Sequence, residues 1–214
     1  MVGKRRAKDA IGLSLETSSQ RILLEEFRFL ESRYTTNRES GIARMNFFVT
    51  AASVGLGGVL VFGSNNNVPF TYFRFILLAA LIILAAVGLD VYSTLVARVI
   101  AADRYVRGLA RIRHYFIELD PGIKDYFLSR ITDAPTNYLN PKSSGMRRTA
   151  QIVESFLLGL SLTLLSTFLP LAPEANILIG SASSILIFII LEANARRRIS
   201  MALKTAQQTI NFGT

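Results

Sequence analysis

Residues 75–96 read FILLAALIILAAVGLDVYSTLV, and this stretch decides the fold. At about 1.5 Å per residue its helix covers roughly the 30 Å of a bilayer core. One ionisable residue, Asp90, interrupts it. Three further stretches share its character, residues 45–64, 152–169 and 177–191. The expected fold is all-α: a polytopic membrane protein with four transmembrane helices.

The basic residues sort to one side of these spans. Residues 1–44 carry a net +3, residues 97–151 a net +5 and residues 195–214 a net +4. The connection 64–74 holds only Arg74, and the connection 170–176 only Glu174. By the positive-inside rule both termini and the central segment are expected on the cytoplasmic face, in an inner membrane. The first sustained apolar run begins about forty residues in, so the first span is expected to be an uncleaved signal anchor.

The chain divides accordingly into five segments. Residues 1–44 form a basic, amphipathic arm, with residues 1–14 poorly ordered. Residues 45–96 and 152–191 form two transmembrane hairpins. Residues 97–151 form a helical extension and loop, and residues 192–214 a basic tail. Leu23, Phe27, Leu30 and Tyr34 step by four, three and four, which is one helical seam. Val99, Ala102, Val106, Leu109, Ile112 and Phe116 share one face of the second helix, which meets no proline before Pro121. These two faces are expected to meet as an antiparallel, coiled-coil-like pair of arms in the cytoplasm. Gly41 is the expected bend of the first arm. Asp120-Pro121 starts a short helix reaching about Ile131, and Ser64-Asn65-Asn66-Asn67-Val68-Pro69 is a turn.

Composition excludes several chemistries. Cysteine is absent and His114 is the one histidine, so no thiolate chemistry and no histidine-rich metal cluster is available. No cofactor is expected, and no enzyme activity. Gly55-x-Gly57-Gly58 lies within a span and cannot be a phosphate loop. His114 has Glu118 four residues on, but no nucleophile accompanies it, so a surface histidine is the expectation.

The candidate sites are polar residues in or beside the spans. Asp90, Glu154 and Glu192, with Thr50 and Ser53, are candidates for an ion pathway opening to the cytoplasm. The competing structural reading pairs the two glutamates with Arg147, Arg148, Arg196 or Arg98, and Asp90 with Thr50 or Ser53. By helical rise alone, Asp90 lies a little inside the midplane, between Arg74 and Arg98. Ala51, Gly55, Gly57, Gly180 and Ser184 form small-residue faces for close helix packing, within one chain or between copies. Arg98, Arg111, Arg113, Arg147, Arg148, Arg196, Arg197 and Arg198 are candidates to contact anionic lipid headgroups or a ligand. Nucleic acid is disfavoured, because acidic residues interleave with the basic ones and no recognition motif accompanies them.

These features support a self-associating membrane protein of the pore-forming or effector type, whose arms receive a signal or a cytoplasmic protein partner. The layout is similar to that of small membrane effectors of bacterial defence systems, in layout only. The alternative is an accessory subunit anchored in a larger membrane complex.

Overall fold

The computed structural model describes residues 2–63, 69–140 and 145–210, with side chains from residue 18 onward. Residues 64–68 of the expected turn lie outside the described residues, as do the side chains of residues 1–14. Four α-helices dominate, and no strand occurs among the described residues. They are α1, Val2–Gly63; α2, Phe70–Leu119; α3, Met146–Ser166; and α4, Pro173–Gln208. Each is long and apolar enough to cross a membrane.

Helix boundaries follow the breakers. α1 contains no proline and continues through Gly41, which packs 3.7 Å from Arg98 and Leu95 as judged from the position of an added Cβ. Gly41 is thus a contact point within the helix. α4 carries Pro173 in its first turn, where the missing N–H costs no helical hydrogen bond. It runs on through Arg196, Arg197 and Arg198 without a break.

The helices pack in chain order, α1 on α2, α2 on α3 and α3 on α4, while α4 also touches α2. Met45, Phe48, Ala52, Leu81, Leu84, Val91, Leu95, Ala150 and Leu157 form the main core and join α1, α2 and α3. Tyr92 and Val96 of α2 meet Leu191 and Ala195 of α4 in a second cluster. Along α1 the buried positions Gly41, Met45, Phe48 and Ala52 recur at helical spacing, which aims one stripe at its neighbours. Beyond the apolar part, Leu30 lies against Gly108, Phe27 under Arg113, and Asn37 donates to the Arg98 carbonyl at 3.1 Å.

α3 and α4 approach most closely at glycines. A Cβ on Gly159 would stand 2.9 Å from the Gly180 carbonyl, and one on Gly180 would stand 3.1 Å from the Gly159 carbonyl. Ser184 and Thr163 fill the space beside them, each bonded to a carbonyl of its own helix at 3.0 Å. Backbones this close gain dispersion contacts that larger residues would forbid.

The chain after α2 departs from expectation. A short 3-10 helix, Pro121–Tyr126, replaces the helix expected to about Ile131, although Asp120 caps it through the Gly122 N–H at 3.0 Å. The chain then runs irregularly to a second 3-10 helix, Asn137–Leu139. Beyond it residues 133–136 return to α2, where Asp133 and Thr136 are buried.

Candidate functional site

Polar side chains gather in two places: around the inward face of α3, and where the 127–140 loop meets α2 and α4. The α3 group includes Glu154 and Glu192, two of the three carboxylates expected as candidates. Ala150, Gln151, Glu154 and Leu157 recur at helical spacing and are all buried. Gln151 donates from Nε2 to the Phe188 carbonyl of α4 at 2.9 Å, and its Oε1 receives no hydrogen bond among the described residues. Glu154 is fully buried, and neither of its carboxylate oxygens has a donor among the described residues. Its Oε2 lies against Gly88 of α2, in the space an added Cβ would occupy. The Phe48 ring of α1 closes the same seat, 2.8 Å from that Cβ position. Such orphaned buried acceptors are rare in native proteins, and each calls for a cause.

Glu192 is treated differently. It accepts from Arg147 at 2.9 Å and from Arg196 at 2.7 Å. Tyr92 donates to the Leu191 carbonyl beside it at 2.5 Å. Arg147 is buried in this pairing and is directed at Glu192.

Asp90 faces away from the core, its side chain 74% exposed, and pairs with Arg44 at 3.8 Å. Arg44 directly precedes the first apolar stretch, so Asp90 lies within reach of its polar end. Helical rise alone places the polar boundary of α2 at Arg98. Arg98 instead folds back against α1, donating to the Asn37 carbonyl at 2.6 Å and to the Ser40 hydroxyl. Thr50 and Ser53 are exposed on α1 and do not meet Asp90.

The remaining sequence candidates are distributed. Gly180 and Ser184 pack on α3; Ala51 and Gly57 are half-buried and Gly55 exposed, and a Cβ on Gly57 would meet nothing within 4 Å. Arg148, Arg196 and Arg197 are exposed, and Arg198 reaches the Ser93 hydroxyl at 3.4 Å. Arg113 lies 5.3 Å over the Phe27 ring and donates to the Arg130 carbonyl at 3.3 Å; burial lowers its pKa, with Glu31 opposing. His114 lies 3.3 Å from Glu118, its i+4 neighbour. Arg74 stacks between Phe70 and Phe168 at 5.2 and 4.9 Å and donates to the Thr167 carbonyl at the end of α3. A cation there complements the helix dipole.

The second polar centre was not singled out in the sequence. Arg107 and Arg111 both bond Asp133 at 2.8 Å, and both also donate to the Thr209 carbonyl at the end of α4. Asp103, one turn before Arg107, accepts from the Thr136 N–H and hydroxyl, each at 2.8 Å. A cavity of about 270 Å³ opens beside them, lined among others by Ile100, Arg104, Leu139 and Thr205. The detectable signal was Asp103, Arg107 and Arg111 repeating every four residues on a face shared with Ala110.

Among the described residues no three or more histidine, cysteine, aspartate or glutamate side chains gather as a metal-ion cluster. No family model, curated protein or solved structure matches this chain.

Proposed function

We propose that the chain is an integral membrane protein that associates with further copies of itself, of the pore-forming or effector type. Asp90 carries this reading. It lies inside the apolar stretch of α2 yet is 74% exposed on the single chain. An ionisable group in a span normally faces protein or water rather than lipid. A second copy would cover it, and an assembled ring would align its carboxylates beside a water-filled passage. The exposed Thr50 and Ser53 and the open surface at Gly57 and Gly58 would supply further contact between copies.

In this reading both termini and residues 97–151 face the cytoplasm, where the positive charge is concentrated. The contacts of Phe27 with Arg113, Leu30 with Gly108 and Asn37 with Arg98 run in opposite chain directions, as an antiparallel arm pair would. These arms would receive the signal or protein partner, and the exposed Arg148, Arg196 and Arg197 would rest on anionic headgroups.

The test is purification in detergent or nanodiscs, with mass measurement and ion flux after reconstitution in liposomes. A symmetric homo-oligomer that conducts, and conducts less as Asp90→Asn, supports the proposal. A monomer recovered with unrelated subunits would favour the accessory-subunit reading, and an oligomer whose flux ignores Asp90→Asn would remove that residue from the pathway.

A further inference from the structure

Glu154 is the acid whose burial the protein does not compensate. The other buried or half-buried acids have donors: Asp133 takes Arg107 and Arg111, Asp103 takes Thr136, and Glu192 takes Arg147 and Arg196. Glu154 has none among the described residues. α1 presents the Phe48 ring, and its nearby charge, Arg44, pairs with Asp90 on the outer side of α2. α2 presents Gly88, and Tyr92 one turn on donates to the Leu191 carbonyl. On α3 itself Arg147 is held by Glu192, while Arg148 is exposed. α4 brings Glu192, already bonded twice, and the Phe188 carbonyl, which accepts from Gln151.

Gln151 shares this condition. It stands three residues before Glu154, so the two side chains are neighbours on one helix face. Its amide oxygen also lacks a donor among the described residues. Two side chains one turn apart therefore hold buried acceptor oxygens that receive no hydrogen bond among the described residues. The complement of such a pair is a positive charge. The missing side chain at Gly88 is what lets the carboxyl lie against α2.

We propose that the buried, donorless carboxylate of Glu154, one helical turn from Gln151, is a binding site for a small monovalent cation, H⁺ or Na⁺. The inference rests on packing within one chain, so it stands or falls separately from self-association.

The experiment is labelling of the full chain, in detergent, with dicyclohexylcarbodiimide, an apolar reagent that adds to a carboxyl group bearing its proton. Adducts are located by peptide mass mapping. Labelling is expected at Glu154 and absent from Glu154→Gln, and it should fall about tenfold as pH is raised across the titration. If the site takes Na⁺, NaCl protects at constant pH where KCl does not; if it takes H⁺ alone, neither salt protects. No adduct at Glu154 at any pH, or labelling indifferent to both pH and Na⁺, overturns the proposal. Should Glu154→Gln fail to fold, the mapped position in the wild-type chain decides the question. An oligomer without this labelling, or labelling in a monomer, shows which of the two readings has failed.

Discussion

Arg107 and Asp133 meet at 2.8 Å with only 8% and 0% of their side chains exposed, and this pair fastens the 127–140 loop to α2. Arg111 shares the same carboxylate but is 41% exposed. Removing one partner from a buried pair leaves the other charge uncompensated. Asp133→Ala should therefore cost about 3–5 kcal/mol. Arg111→Ala should cost much less, since water can replace it. Thermal unfolding of the two variants in one detergent checks the order.

The α3–α4 contact at Gly159 and Gly180 leaves no space for a side chain. Gly159→Leu should push the helices apart and destabilise the chain by about 1–3 kcal/mol or more. Gly58 is the internal control, because a Cβ there meets nothing within 4 Å. Gly58→Leu should leave the melting of the monomeric chain within about 0.5 kcal/mol of wild type. Any effect it has on assembly then reports contact between copies.

Asp90 and Arg44 form a long, exposed pair at 3.8 Å. Such pairs contribute about 0–1 kcal/mol. Asp90→Asn should therefore fold and melt nearly as wild type does, which keeps flux and mass measurements on that variant interpretable. A large loss of stability in a monomeric preparation would show that the carboxylate serves the single chain.

Tyr34 and Tyr138 share a hydrogen bond between their hydroxyls at 2.5 Å. That bond, and then burial, raises the pKa of Tyr138 above its ordinary value of 10.0. The folded state thus holds this proton more tightly than the unfolded chain. The associated stability is present below pH 10.0 and is lost as pH rises through the higher folded value. Absorbance titration should show a late phenolate transition that disappears in Tyr138→Phe.

Much of the helical layout was legible because it depends on local properties. Apolar length located the four long helices, each able to cross a membrane, and the absence of proline before Pro121 carried α2 to Leu119. Gly180 and Ser184 were readable as a packing face, since small residues at that spacing serve little else in a span. The face of Asp90 was also within reach: Leu81, Leu84, Gly88, Val91 and Leu95 are buried at helical spacing, and Asp90 falls opposite them. Rise alone hid this, because it measures depth and ignores rotation.

Other features depend on contacts between distant segments. Asp133 finds Arg107 across 26 positions, through a loop whose path no periodicity describes. The isolation of Glu154 was equally hidden. Arg147 and Arg148 lie close enough in sequence to serve it, and only the packing of α4 reveals that Glu192 takes Arg147 first.

The continuity of α2 has a mechanical consequence. Its 50 residues form a rod of about 75 Å, passing without a break from Phe70 to Leu119. Arg107 and Arg111 lie on the same stiff lever as Gly88 and Asp90. A tug on the loop or on the end of α4 that shifts those arginines cannot be absorbed at a hinge midway, and must be felt as tilt or rotation at the far end.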